Sequence, residues 1–290
     1  MALRAKKPED IRKRPKFFLF GVAGCGKTIA AIQMPRPYII DTERGAENKT
    51  YVDLIKKANG ALFQTTNADD IIAELKALIT EKHDYRTIVI DPITNIEDNV
   101  IQSAAVRYGA DAKDNGDLRV WRDRDKFMRR IVALLLQADM NVVMTAHSKI
   151  EYGPNMVKLG RTFEGWKKWD YLFDLVLELR IEGEKRIATV RKSRLEAFPQ
   201  GSDFEWSYQE LVKRYGSEIM EKAVTPVVMA NADQVAELNR LVETVKLPDG
   251  TVEKWLTKAG VEVFADMPSD VIAKCIEWTK SRLNKTAEKE

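Results

Sequence analysis

Runs of β-branched and aromatic residues alternate along the chain with stretches in which apolar residues recur every three to four positions, the pattern of parallel strands joined by crossover helices. The apolar runs predict strands over 16–20, 37–41, 61–64, 86–91 and 141–146, and the helical period predicts helices over 28–33, 68–80, 94–108 and 119–138. Two more strand-like runs, 171–181 and 186–194, flank Ile181-Glu-Gly-Glu-Lys-Arg186 and predict a hairpin at the edge of the sheet. Beyond Pro226 the period changes. Val235, Leu238, Leu241, Val242 and Val245 share one helical face, and short helices over 251–259 and 269–283 follow, punctuated by Pro248-Asp249-Gly250 and Pro268. The expected organisation is an arm over 1–15, an α/β domain over 16–225 and a small helical module over 226–290, with Trp255 and Trp278 in the module's core.

Composition sharpens the class. With 290 residues, 44% apolar and 31% charged, the chain has the make-up of a globular protein able to bury a core. No run of 18 apolar residues occurs and Met1-Ala-Leu-Arg-Ala-Lys-Lys7 lacks the apolar centre of a signal peptide, so the expectation is a cytoplasmic protein with no membrane partner. Cys25 and Cys275 read as free thiols, with no disulfide framework and no zinc site. Residues 1–16 hold seven basic side chains against two acidic ones, a surplus of +5 that leaves −2 for the rest of the net +3. That basic arm reads either as a contact for nucleic acid phosphates or a neighbouring subunit, or as a solvated tail.

The candidate chemistry begins where the first strand ends. Gly21-Val-Ala-Gly24-Cys25-Gly26-Lys27-Thr28 is a complete G-x-x-x-x-G-K-[ST] phosphate loop. A loop wrapped around phosphates turns backbone N–H groups inward, which needs glycine where a Cβ would block the turn or the ligand. Lys27 then carries charge to the β- and γ-phosphates, Thr28 offers a hydroxyl to Mg²⁺, and the following helix adds its positive end. The implied cofactors are ATP and Mg²⁺.

Other strand ends extend this reading. Ile88-Val89-Ile90-Asp91 closes an apolar strand on an acid suited to hold Mg²⁺ beside Thr28; the alternative is a helix-capping acid. Asp41-Thr42-Glu43 follows the second strand, where Glu43 is the candidate base that orients water, or else an exposed loop charge. His147 follows the strand over 141–146 and is placed to report loss of the γ-phosphate to the segment after it, or else is a strand-end surface residue; His83 lies in a polar turn and reads as solvated.

Taken together, the phosphate loop, Asp41-Thr42-Glu43, Asp91 and the polar strand tip at His147 resemble the RecA-like branch of the P-loop ATPases, and most closely the phage RecA-like ATPases associated with single-strand annealing, the Sak group. The resemblance spans about residues 15–210. It implies a RecA-like P-loop core, a mostly parallel sheet flanked by helices with an antiparallel edge hairpin, and a place in the bacterial host cytoplasm. It implies that Glu43 activates water, and that Lys192-Ser193-Arg194 is similar to a Lys-x-Arg finger reaching a neighbouring subunit's γ-phosphate in a homo-oligomeric ring or filament. His147 where RecA has glutamine, and the lack of a large N-terminal recombinase domain, are departures that bear on filament formation and strand exchange.

Two stretches mix cations with aromatics without a core period, as single-stranded nucleic acid grooves do. One runs through Arg107, Tyr108, Lys113, Gly116, Arg119, Trp121, Arg122 and Arg124; the other through Lys149, Tyr152, Lys158, Arg161, Phe163, Trp166, Lys167, Lys168 and Trp169. They occupy the places of the resembled family's DNA-binding loops, so the expected function is a DNA-dependent ATPase acting on single-stranded DNA in recombination, annealing or repair, alongside an annealing or single-strand-binding protein. The alternative for Trp166 and Trp169 is that they anchor the loop to the sheet. The alternative functions are a nucleotide-dependent assembly or loader protein with slow turnover, and a small-molecule kinase, for which the chain offers no Arg-rich lid or acceptor pocket.

Overall fold

The computed structural model describes residues 13–110, 117–169, 173–245 and 247–287. Five parallel strands make the centre of the sheet: β1 (Lys16–Gly21), β2 (Pro37–Asp41), β3 (Ala61–Gln64), β4 (Thr87–Asp91) and β5 (Asn141–Tyr152). Then come β6 (Lys158–Phe163), β7 (Leu175–Glu182), β8 (Lys185–Ser193) and β9 (Asp203–Glu205). The order is β3-β2-β4-β5-β1-β7-β8-β9, with β7 parallel to β1, β8 and β9 antiparallel, and β6 paired only to β5. This is the mostly parallel P-loop sheet with an antiparallel hairpin that the sequence led us to expect. Two details differ: β9 takes the edge from the hairpin, and β5 runs past His147 into a second hairpin with β6.

Alternation along the strands sends side chains to two layers. Phe18, Phe20, Ile88, Ile90, Val142 and Met144 face one layer, which is closed by α3 (Ala68–Thr80), α4 (Ile93–Tyr108) and α5 (Leu118–Gln137) through Ile71, Leu75, Ile96, Met128 and Ile131. Phe17, Leu19, Ile39, Val89, Val143 and Leu177 face the other, closed by α1 (Lys27–Ile32), α2 (Lys49–Lys57), α6 (Tyr208–Tyr215) and α7 (Ser217–Glu221). The remaining helices, α8 (Ala232–Thr244), α9 (Thr251–Ala259) and α10 (Ser269–Ala287), bury a separate apolar cluster that includes Leu238, Leu241, Met267 and Ile272. Asp266, fully buried, ties this cluster to the sheet domain through Lys76 (2.9 Å) and Arg130 (2.6 Å), and Glu262 meets Arg129 at 2.9 Å. Trp255 is half-buried and packs against this cluster as expected, whereas Trp278, which it meets edge to face at 5.5 Å, is 38% exposed and lies at the module's surface.

Two residues of the basic arm are structural. Arg14 is buried, donating to Asp139 and to the carbonyls of Ile219, Lys222 and Ala223, and Lys16 donates to the carbonyls of Leu135, Ala138 and Met140. Each stops chain ends that would otherwise leave buried carbonyls unpaired, so neither is offered to a phosphate. Residues 1–12 lie outside the described residues. His83 is half-buried rather than solvated, its Nε2 2.7 Å from the carbonyl of Leu78. No helix among the described residues is long and apolar enough to cross a membrane.

Candidate functional site

The site forms where β1, β2 and β4 end, beside His147 within β5, at the carboxyl edge of the parallel sheet, where open α/β sheets take their ligands. A Cβ on Gly21 would stand 2.6 Å from Cys25 Sγ and closer still to the carbonyl of Leu179, so only glycine lets β7 approach the loop. Gly24 and Gly26 adopt left-handed backbone, φ 76° and 90°, which turns the chain into α1. Cys25 is buried at 1% exposure; burial pushes its thiol up, against the opposing charge of Lys27. Lys27 Nζ folds back to the carbonyls of Gly21 (3.0 Å) and Val22 (3.1 Å).

Thr28 Oγ1 donates to Asp91 Oδ2 at 2.6 Å, and Thr145 Oγ1 donates to the other carboxylate oxygen. Burial pushes the Asp91 carboxyl up while the hydroxyls of Thr145 and Thr28 pull it back toward the charged form. A hydroxyl and a carboxylate side by side are oxygen donors of the kind Mg²⁺ takes. Among the described residues no cluster of three or more His, Cys, Asp or Glu forms a metal cage.

Beside that pair, Asp41 shapes the loop after β2: its carboxylate accepts from Glu43 N and Ala46 N, both at 3.0 Å, and the Thr42 hydroxyl donates to the carbonyl of Pro92 at 2.8 Å. Glu43 is thereby turned outward, where Oε1 lies 2.6 Å from His147 Nε2. His147 in turn donates its backbone N–H to Thr94 Oγ1 at 3.1 Å. Lys27, Thr28, Asp91, Glu43 and His147 line one cavity of about 420 Å³, together with Arg186 from the β7–β8 hairpin. Thr145, Thr94 and Arg186 escaped the reading of the sequence. Thr145 was within reach of it, since residues two apart on a strand share a face and His147 had been singled out.

Lys192 and Arg194 are not brought to this cavity within one chain. The register pairs Ser193 with Leu175 and Leu175 with Phe17, which places them at the start of β1. From Arg186 to Lys192 the strand covers six steps, about 20 Å at the rise of a strand. There Lys192 Nζ donates to the carbonyl of Phe173, and Arg194 lies 3.9 Å from Asp174.

The candidate DNA contacts fall in two groups. On α4 and α5, Arg107 pairs with Asp123 (3.0 Å), Arg119 pairs with Asp117 (2.7 Å) over the ring of Tyr108, and Arg122 is exposed. Lys149 and Lys158 are exposed on the β5–β6 hairpin, Arg161 is half-buried against Ser148, and Lys167 and Lys168 are exposed just beyond. The aromatics mostly turn inward: Phe163 packs on Phe18 and Phe20, and Trp166 and Trp169 are buried, which favours the anchoring alternative for these two rings. Glu97 joins the two groups, accepting from Arg124 Nη1 and from Trp166 N, each at 2.7 Å. Lys113 and Gly116 lie outside the described residues.

Comparison with known proteins gives a family and a set of similar solved structures. The sequence profile of a family described as an AAA domain matches residues 13–197. No curated protein matches the chain. Among solved structures, the crystal structure of the RadB recombinase is 17% identical and covers 68% of this chain and 88% of its own, with a TM-score of 0.43.

Proposed function

The chain belongs to the AAA domain family, and from that premise we propose that it is an ATP-binding and ATP-hydrolysing RecA-like protein acting on single-stranded DNA, of the phage single-strand annealing (Sak) kind. The observation that carries the proposal is the 2.6 Å contact between Glu43 and His147 in the same cavity as the Thr28–Asp91 pair. Glycine N–H groups and Lys27 cradle the phosphates, and Thr28 with Asp91 holds Mg²⁺, which when bound offsets charge on the phosphate oxygens. Glu43 orients and polarises water toward the γ-phosphate, and His147 fixes the direction of its carboxylate.

Coupling to DNA follows from continuity of one strand. β5 runs through His147 to Tyr152 and turns into the hairpin carrying Lys149, Lys158 and Arg161, so a shift of His147 on phosphate release reaches the candidate DNA surface directly. Arg107, Arg119, Arg122, Lys167 and Lys168 extend that surface. Lys192 and Arg194, remote from their own phosphate loop, serve a neighbouring copy in a ring or filament, and an annealing or single-strand-binding protein is the further partner.

Glu43→Gln tests the reading. The variant is expected to bind ATP within about twofold of the parent while hydrolysis falls about 100-fold or more. Mixed with Arg194→Ala subunits, which keep Glu43, it should regain part of the turnover at mixed interfaces. Unchanged hydrolysis in Glu43→Gln removes the base assignment; no recovery in mixtures that still assemble removes the trans finger. ATP binding without turnover in the parent protein would favour the assembly or loader reading.

A further inference from the structure

Several cations of the β7–β8 hairpin are held in ion pairs. Arg180 meets Glu182 and Asp203, each at 2.8 Å, Lys185 meets Glu205 at 2.7 Å, and Arg191 meets Glu178 at 3.4 Å. Arg186 has no carboxylate within ion-pair distance among the described residues, and its Nε is buried without a hydrogen-bond partner. Its guanidinium lies instead on the phosphate loop. A Cβ added to Gly26 would stand 2.7 Å from Arg186 Cδ and 3.2 Å from Cζ, with Nε nearer still. The same side chain lines the cavity that holds Lys27, Thr28, Glu43, Asp91 and His147.

The backbone holds Arg186 there. Its strand position is opposite Ile181, its carbonyl accepts from Trp206 N at 2.8 Å, and Trp206 Nε1 reaches back to Gln33 at the end of α1 (3.1 Å). A buried N–H left unpaired costs free energy that packing alone does not return, and an acceptor brought within its reach would remove that cost. Guanidinium is the side chain best matched to phosphate oxygens, offering a planar fork of donors where lysine offers a point charge.

We propose that Arg186 is a phosphate-binding residue of its own chain's nucleotide site, contacting the polyphosphate from the flank of the loop opposite Glu43 and His147. The flank follows from strand order, since β1 has β5 on one side and β7 on the other. The proposal rests on the triphosphate reading above. It gives the site a second cation in cis, so that nucleotide binding does not await a neighbour's Lys192 and Arg194.

The test is a fluorescence titration of the full chain with mant-ADP, comparing the parent with Arg186→Ala, Arg186→Lys, Lys185→Ala and Lys27→Ala. Arg186→Ala should weaken binding about tenfold, Arg186→Lys by less, and Lys185→Ala, which loses only an exposed ion pair, by less than about twofold. Should Arg186→Ala fail to fold, Arg186→Met keeps the aliphatic stem over Gly26 and removes only the charge, and the same loss is expected. Parent-like or tighter binding by the Arg186 variants, with Lys27→Ala unable to bind, overturns the role of Arg186 and leaves the nucleotide site standing. Parent-like binding by Lys27→Ala overturns the site itself and the Arg186 proposal with it.

Discussion

At the scale of single residues, the site turns on a carboxylate kept inside the protein. Asp91 is 7% exposed, and two hydroxyls, from Thr28 on α1 and Thr145 on β5, meet its two oxygens. Burial pushes its carboxyl up, and hydrogen bonds of this kind pull it back toward the charged form and orient it. Thr145→Val keeps the shape and removes one donor. It should lower stability by about 1–3 kcal/mol in urea unfolding, because one buried oxygen loses its partner. A change below about 0.5 kcal/mol would mean that Thr145 does not support Asp91. Charge alone misled the reading elsewhere. Arg14 and Lys16 sit in a basic run that reads as solvent-facing, yet both are buried, because the carbonyls they satisfy come from Leu135, Ala138, Met140, Ile219, Lys222 and Ala223, far away in sequence. Arg186 was hidden for a similar reason: its target, Gly26, is set by hairpin register, which the residue types do not fix.

At the scale of elements, legibility followed burial. The strands ending in Gly21, Asp41 and Asp91 are buried on both faces and stood out as continuous apolar runs. α2 did not, with Ile55 its one fully buried residue, and β6 did not, because Lys158, Leu159 and Gly160 are all exposed and leave no alternation to read. The docking of the helical module was also invisible in the sequence, since it depends on Asp266 meeting Lys76 and Arg130 from two other helices. Burial would push the Asp266 carboxyl up, but hydrogen bonds from Arg130 and Lys76 outweigh it and hold it below the usual carboxylate range. A carboxyl depressed in the fold adds stability above its unfolded pKa and loses it as pH falls through the folded value. The contact should therefore weaken as pH drops below about 4. Asp266→Asn is expected to cost about 1–3 kcal/mol near neutral pH and to flatten this acid limb, as followed by denaturant unfolding across pH. An acid limb of the same steepness in the variant would assign it to other carboxyls.

For the whole molecule, the sheet separates two ends. The carboxyl ends of β1, β2 and β4, with His147 within β5, gather the phosphate loop, Glu43 and Asp91, and the start of β8 adds Arg186. Lys192 and Arg194 lie at the other end of β8, about 20 Å away along the strand. The β5–β6 hairpin projects beyond the paired sheet from the strand that carries His147, which joins the proposed phosphate sensor to the surface proposed for DNA. That junction is the centre of the account, and steady-state ATP turnover measured with and without single-stranded DNA, at low and at moderate salt, tests it most directly. The account predicts turnover that rises with single-stranded DNA and a stimulation that fades as salt displaces Lys149, Lys158 and Arg161 from phosphates. Turnover indifferent to DNA at both salt concentrations, or transfer of the phosphate to a small-molecule acceptor, would contradict it.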